Sequence, residues 1–366
     1  MLKFKVLNFN NPKLGSSGFP IFFHKKIMHF KLLKLLADGK FHSGEMLANT
    51  LQVSRTSIWK MISRIQELGL ELHSVKGKGY KLSEPLDLFD QESILKNIPA
   101  DLRVKIQNIK IFQSLDSTSS YSMELLRSRE LSLEENRIFV CLAEQQTAGR
   151  GRRGRPWVSP FGHNLYFTVA REFNSGLSEL EGLSLVIALA IVRVLERNKV
   201  QGLGIKWPND ILWQDKKLAG ILLEITGDPT GLSQVLIGIG LNINANPQTM
   251  FNVDQPWVDI KTISGSVPDR NKLIAEILAE MIKMIDEFET KGFVAFKDEW
   301  EDFDALKGRK VELKTHNNQS TGILGKVMGV NKQGALLLQT KEGVETFHGG
   351  ELSPRPVQNE QGNQPR

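Results

Sequence analysis

The stretch GRGRRGRPW, residues 149–157, packs four arginines and three glycines into nine positions. Gly149, Gly151 and Gly154 fit the GxGxxG spacing of a dinucleotide-binding turn. In that turn the glycine loop runs directly into an apolar helix whose N-terminus holds a pyrophosphate. Here the loop is followed by Pro156-Trp157-Val158-Ser159-Pro160-Phe161-Gly162. Two prolines and a glycine forbid such a helix, so a nicotinamide-dinucleotide fold is set aside. The arginines predict instead a loop that like-charge repulsion keeps mobile when empty. It would order around bound anions, with guanidinium forks and backbone N–H groups as donors.

The segments around the loop read as an α+β body. RVKIQNIKIFQSLDSTSSYSMELLRS predicts a strand, a polar turn at 116–119 and a helix, and NRIFVCLAE a strand feeding the arginine loop. HNLYFTVARE and SQVLIGIGLNIN are strands, GIKWPNDILWQDKKLAGILLEIT two strands joined by a turn, and Leu180–Asn198 and 270–288 helices. Strands outnumber helices, which predicts a mixed sheet with its helices on one side rather than a doubly wound sheet. Lys206 in KWPND and the Ser/Thr turn at 117–119 join the arginines as an anion, hydroxyl and lysine set suited to phosphate chemistry.

The chain has 366 residues, 40% hydrophobic and 24% charged, enough for two or three soluble domains. A single cysteine, Cys141, excludes a disulfide framework and reads as a small buried hydrophobe. Seven scattered histidines give no metal-ligand spacing, and no apolar run approaches the roughly 18–20 residues that span a bilayer. Residues 1–27 read as a disordered leader, or as sequence ahead of a true start at Met28, and not as a signal peptide. Residues 355–366 read as a disordered tail.

The net charge of +6 is uneven: residues 1–85 hold 14 Lys/Arg against 5 Asp/Glu, and the rest hold 33 against 36. A basic front end on a near-neutral body points to a polyanion at the front end alone. Within residues 28–85, HFKLLKLLADGKF predicts a first helix. Ser43 caps a second, with Met46, Leu47 and Leu51 on its apolar face. Ser54 caps a third that buries Ile58, Met61, Ile62, Ile65 and Leu68. A tight turn at Gln52-Val53 makes this a helix-turn-helix, with Ser54, Arg55, Thr56 and Ser57 placed to reach phosphates or base edges. Lys76-Gly77-Lys78-Gly79 forms a basic hairpin wing, Lys76 and Lys78 facing a duplex backbone.

AEQQTAGRGRRGRPWVSPFGHNLYFT, KWPNDILWQDKKLAGILLEITG and VLIGIGLNIN together resemble the signature blocks of biotin–protein ligases. With FHSGEMLANTLQVSRTSIWKMI in front, the resemblance is to the bifunctional class, biotin ligase and biotin operon repressor. It extends over about residues 28–353 and implies three domains: a winged helix-turn-helix (28–85), a class II synthetase-like ligase domain (86–305) and a small SH3-like barrel (306–354).

The resemblance implies that biotin and MgATP form biotinyl-5′-AMP, and that a lysine of the biotin carboxyl carrier protein of acetyl-CoA carboxylase takes the biotinyl group. It implies biotin contacts from Ser117, Thr118, Ser119, Gln146, Arg150, Gly151, Arg152 and Lys206, with Lys206, Arg152 and Arg150 serving the chemistry. Nucleotide contacts fall to Arg152, Arg155, Trp157, Asn209 and Asp210, and Mg²⁺ arrives with ATP rather than on fixed protein ligands. Ser119 stands where the family carries Asn, and Pro156 where a basic residue is common. The class further implies a cytoplasmic, non-membrane protein that dimerises on biotinyl-AMP as corepressor and binds operator DNA. From the residues alone, Ser117 and Thr118 also read as a plain helix N-cap, Lys206 as a surface lysine and Trp157 as core. A ligase without repression, or a non-catalytic small-acid sensor, remain alternative readings.

Overall fold

The computed structural model describes residues 21–227, 231–247, 249–251, 253–314, 322–348 and 353–356. Most of the leader (1–20) and nearly all of the tail (357–366) lie outside the described residues. The chain divides into two compact units, Met1–Pro85 and Leu86–Arg366.

Among its described residues the first unit holds three helices, α1 (Ile21–Leu36), α2 (Gly44–Leu51) and α3 (Arg55–Glu67), and a hairpin of β1 (Leu72–Val75) and β2 (Gly79–Leu82). Helix α1 starts seven residues before Met28, inside the stretch read as leader. Ser43 Oγ accepts from Met46 N, and Ser54 Oγ from Ser57 N, each at 3.1 Å, so both serines cap as their sequence positions suggest. Gln52 takes the left-handed conformation that turns α2 into α3. Leu47, Ala48 and Leu51 pack inward from α2, whereas Met46, expected on that face, is exposed; its sulfur accepts from Thr50 Oγ1. The wing is tied to the helices by reciprocal backbone bonds between His42 and Tyr80, both 2.9 Å.

The second unit opens with α4 (Gln91–Asn97) and α5 (Ala100–Arg103). There follow β3 (Ile106–Phe112), α6 (Thr118–Arg127), β4 (Ile138–Ala143), β5 (Leu165–Phe173) and α7 (Leu183–Arg197). Next come β6 (Leu203–Lys206), β7 (Asp210–Trp213), β8 (Lys216–Gly227), β9 (Ser233–Leu241), α8 (Ile260–Ser264), α9 (Arg270–Lys291) and α10 (Lys297–Asp302). The seven strands form one mixed sheet in the order β3-β4-β5-β9-β8-β7-β6, in which only β3 and β4 run parallel.

Two sequence expectations need correction. GIKWPNDILWQDKKLAGILLEIT contains three strands, because it holds two turns. One is closed by Asn209 N donating to Lys206 O at 3.1 Å; the other is the two-residue turn Gln214-Asp215. Both residues of the second turn have positive φ, 48° and 61°, without the Asn-Gly or Asp-Gly signal that normally announces it. Nor do the helices lie on one side. In β4, Ile138, Val140 and Leu142 face the large core under α7 and α9, while Phe139 and Cys141 face a smaller cluster with Leu125 and Leu126 of α6. The sheet is thus fully covered on one face and only partly, by α6, on the other.

After α10, β10 (Lys310–Lys314), β11 (Ile323–Val330), β12 (Leu336–Gln339), β13 (Val344–Phe347) and β14 (Ser353–Pro356) form an antiparallel sheet, β13-β12-β11-β10-β14. This is the five-stranded pattern of the small SH3-like domain. Val311, Leu313, Val327, Val330, Leu336 and Leu338 join the core of the ligase body. Among the described residues no helix is long and apolar enough to cross a membrane.

Gly79 is the tightest point of the first unit: its φ is +100°, and a Cβ there would stand 2.0 Å from His42 O. Gly79→Ala should cost about 2 kcal/mol or more. Native-state hydrogen exchange across residues 40–82 of the full chain should accelerate about thirtyfold; unchanged protection would contradict the packing described.

Candidate functional site

The half-bare face of the sheet bears a cavity of about 600 Å³. Its floor comes from residues that share one side of β8 and β9: Gly220 and Leu222, Gly238 and Gly240, with Gly220 paired to Gly240 and Leu222 to Gly238. The intervening Ala219, Ile221, Ile237 and Ile239 belong to the main core. The glycines make space for specific neighbours. A Cβ on Gly238 would lie 2.6 Å from Ser119 Oγ, and one on Gly240 2.3 Å from the Trp157 ring.

One end of the cavity is a chain of hydroxyls and an amide. Ser117 caps α6 by accepting from Ser120 N at 3.4 Å. Thr118 donates to Gln146 Oε1 through both N (2.9 Å) and Oγ1 (3.2 Å). Thr168 Oγ1 donates to Thr118 Oγ1 at 2.9 Å, so at 3.0 Å Ser119 Oγ is the donor to Thr168. Gln146 Nε2 donates onward to Ser159 Oγ at 3.1 Å, and Ser159 Oγ to Trp157 O at 3.0 Å. The short Ser119 side chain therefore binds to the sheet, on Thr168.

The arginine stretch is a hairpin and not a helix-opening turn. Gly151 N donates to Arg155 O and Trp157 N to Gly149 O, both 2.8 Å, with Arg153 (φ 59°) and Gly154 (φ 69°) at the tip. Between those bonds Arg150 and Pro156 face each other as a bridge pair that needs no N–H from residue 156. Proline is accommodated there without a lost hydrogen bond. Arg150 reaches Glu224 of β8 at 3.1 Å. Arg152 donates to Asn209 Oδ1 at 3.1 Å, and Asn209 Nδ2 to Ile221 O at 2.6 Å. Burial, and then the neighbouring Arg153, lower the proton affinity of Arg152.

At the far end Trp157 lies half-buried over Gly240, with Lys217 Nζ 5.2 Å from its ring centroid. Lys217 is ion-paired with Asp210 at 2.8 Å. Lys206 ends β6 on the same wall. Basic side chains outnumber carboxylates along this cavity six to two, so it suits an anionic ligand. Among the described residues no group of three His, Cys, Asp or Glu could hold a metal ion, and Asp210 already faces Lys217.

Every ligase residue singled out from sequence lines this cavity: Ser117, Thr118, Ser119, Gln146, Arg150, Gly151, Arg152, Arg155, Trp157, Lys206, Asn209 and Asp210. Ser117 is both N-cap and cavity wall, Thr118 lines the cavity as the first residue of α6 without capping it, and Trp157 is neither pure core nor free lid. Thr168, Lys217, Gly220, Gly238 and Gly240 were missed. The alternating glycines of LIGIGL were the available signal, since residues two apart share a strand face. In the first unit Arg55, Thr56, Lys76 and Lys78 are exposed, while Ser54 and Ser57 spend their hydroxyls on each other at 2.9 Å and on the α3 cap.

With this geometry in place the comparisons with known proteins are specific. Residues 111–242 match the Biotin/lipoate A/B protein ligase family, residues 29–81 an HTH domain and residues 308–353 the Biotin protein ligase C terminal domain. The chain is 37% identical over 328 residues to the bifunctional ligase/repressor BirA of Escherichia coli (strain K12), covering 90% of this chain and 97% of that one. It is 31% identical over 317 residues to the BirA of Bacillus subtilis (strain 168), covering 86% and 94%. The biotin protein ligase from Aquifex aeolicus, solved in complex with biotin and ATP, superposes with a TM-score of 0.57 at 29% identity, over 69% of this chain and 100% of that one. Fold and cavity are those of a protein ligase domain. The chain belongs to the biotin–protein ligases of the bifunctional ligase/repressor type.

The two floor glycines serve opposite ends of the cavity, so their substitutions should separate. Gly240→Ala displaces Trp157 and should weaken ATP binding about tenfold, a loss of about 1.4 kcal/mol, with biotin affinity kept. Gly238→Ala should do the reverse. Isothermal titration with each ligand reads the split, and equal losses for both would refute it.

Proposed function

We propose that this protein joins biotin to ATP, forming biotinyl-5′-AMP and pyrophosphate, and then passes the biotinyl group to a lysine of the biotin carboxyl carrier protein of acetyl-CoA carboxylase. The observation that carries this reading is the two-ended cavity: a hydroxyl and amide chain at one end, an indole at the other, and arginines and Lys206 between. Ser117, Thr118, Ser119 and Gln146 offer donors and acceptors suited to a urea group. Arg150, Gly151, Arg152 and Lys206 meet the carboxylate and the α-phosphate, while Arg155, Trp157, Asn209 and Asp210 serve the nucleotide.

In the first step a biotin carboxylate oxygen attacks the α-phosphorus and pyrophosphate leaves. A carboxylate with a pKa of about 4.3 is already ionised at neutral pH. The task of the site is therefore to let two anions meet, and Arg152 and Lys206 supply the fixed positive charge for it. Magnesium carried on the ATP phosphates adds charge of the same sign, without a protein cage. In the second step the acceptor amine attacks the anhydride carbonyl, AMP leaves and the amine gives up a proton. Among the described residues no histidine lines the cavity, and the amine that must lose a proton is the acceptor lysine's own.

The helix-turn-helix unit supports the second half of the proposal: a cytoplasmic repressor of biotin-synthesis genes that dimerises with biotinyl-5′-AMP as corepressor and binds a palindromic operator. Gel shifts on the operator region should strengthen with biotinyl-AMP, and no shift at any ligand level would remove this half alone.

Single-turnover labelling of a carrier domain with biotin and MgATP tests the ligase. The wild-type chain should label the carrier lysine, and Arg152→Gly should slow adenylate formation by about 10²- to 10³-fold. If the wild-type chain yields neither adenylate nor labelled carrier, the ligase reading fails. A pH series divides the steps further. Below the acceptor's pKa of about 10.4 the free amine fraction rises tenfold per pH unit, so transfer from preformed adenylate should climb about tenfold per unit between pH 6 and 8 while adenylation stays flat.

A further inference from the structure

Helix α3 buries Ile58, Met61, Ile62 and Ile65 and turns its other side outward. On that outward side stands Trp59, 61% exposed, the one tryptophan among the described residues that is not at least partly buried. Its carbonyl accepts from Ser63 Oγ, and most of its surface is left in solvent. One helical turn before it lies Arg55, likewise exposed and only loosely opposed by Glu45 at 4.0 Å. Lys60 and Arg64 are exposed beside it on the same helix, and the wing of the same unit carries exposed Lys76 and Lys78.

A wetted indole set among cations calls for a partner that is polyanionic yet offers apolar spots between its charges. The major groove of duplex DNA has that combination. Its base edges are polar except at thymine, whose C5 methyl is the apolar feature a side chain can cover. The deep, narrow major groove of an RNA helix admits neither α3 nor the indole, and RNA lacks the methyl. The hydroxyls of Ser54 and Ser57 are committed to the helix cap, which leaves Arg55, Thr56 and Trp59 as the outward groups of the first turn and a half.

We propose that Trp59 is a specificity-determining residue that recognises a thymine methyl in the operator. This rests on the repressor reading above. The lysines of the wing hold the backbone whatever its sequence, and the indole supplies discrimination by covering the methyl. Burying one methyl-sized group is worth about a fourfold change in affinity per half-site.

The test uses the full chain with biotin and MgATP present. Binding sites are first selected from a random duplex library. The selected duplex is then compared by fluorescence anisotropy with copies in which each thymine in turn is replaced by deoxyuridine, which removes only the methyl. At one thymine per half-site the wild-type chain should lose about fourfold. Trp59→Ala should bind the thymine duplex more weakly and show no further loss with deoxyuridine there. Trp59→Phe, which keeps an aromatic face, should retain the methyl dependence, and matching thermal melts of the three proteins would exclude misfolding. A tight selected site that is indifferent to every methyl overturns the assignment. So does a Trp59→Ala chain that loses the same factor on thymine, deoxyuridine and unrelated duplexes. A selection that enriches no site overturns the repressor reading and this assignment with it.

Discussion

Arg270 and Glu144 meet at 2.6 Å with both side chains buried, 126 residues apart in the chain. Removing either partner of such a pair strands a charge in low dielectric and costs about 3–5 kcal/mol. The pair is completed by further bonds: Arg270 Nε donates to Asp87 O at 2.9 Å and Nη1 to Asn164 O at 3.0 Å, and Glu144 Oε1 accepts from Phe89 N at 2.6 Å. Asn271, next to Arg270, binds Asp87 Oδ1 and Leu88 O. Two of the tied residues, Glu144 and Asn164, sit on segments that lead into the cavity. Glu144 leaves β4 two residues before Gln146, and Asn164 Oδ1 accepts from Ile243 N, just past the end of β9, at 2.8 Å. Where the arginine hairpin begins and where β9 ends are thus fixed by one buried network, which also clamps the segment opening the second unit.

On that frame the sheet divides its duties by strand parity. The core face carries Ile and Val, whose branched side chains suit a buried pleat. The cavity face of β8 and β9 carries Gly220, Gly238 and Gly240, residues that weaken a strand by roughly 0.5–1 kcal/mol each relative to alanine. That cost is tolerated because the opposite face of the same strands is buried under α7 and α9, which hold the sheet without help from the cavity side. A bare, shallow floor is what allows Trp157 and Ser119 to come down onto the backbone.

What could be read from the sequence followed from how local each cause is. The helix-turn-helix was legible because caps, apolar periodicity and a left-handed Gln52 all act within a few residues. That the arginine stretch is not a dinucleotide-binding turn was legible because Pro156 and Pro160 rule out the helix of such a fold. Met46 was misplaced because periodicity gives a face but not which neighbour covers its edge. The three-strand segment was undercounted because Gln214-Asp215 adopts a tight turn without glycine. The Arg270–Glu144 pair left no trace at all, since nothing near either residue reveals a partner more than a hundred positions away. Thr168 was invisible for the same reason: in HNLYFTVARE it is one more β-branched strand residue until α6 folds over it.

The site's chemistry follows from placing small residues on the floor and long cations on the wall. Glycines cannot carry charge, so the positive groups come from the hairpin at 149–157, which folds back over the sheet, from Lys206 at the end of the edge strand β6 and from Lys217 in β8. Glu224 steadies Arg150, and Asp210 steadies Lys217 against the Trp157 ring, so part of the wall is braced before any ligand arrives. Burial and Arg153 meanwhile lower the proton affinity of Arg152. A carboxylate and a phosphate brought between these walls counter that lowering at the point where they must approach each other. The repulsion inside the loop and the repulsion between the two reacting anions are then offset by the same contacts, which makes an arginine-rich hairpin over a glycine floor a physical solution to joining two negatively charged molecules.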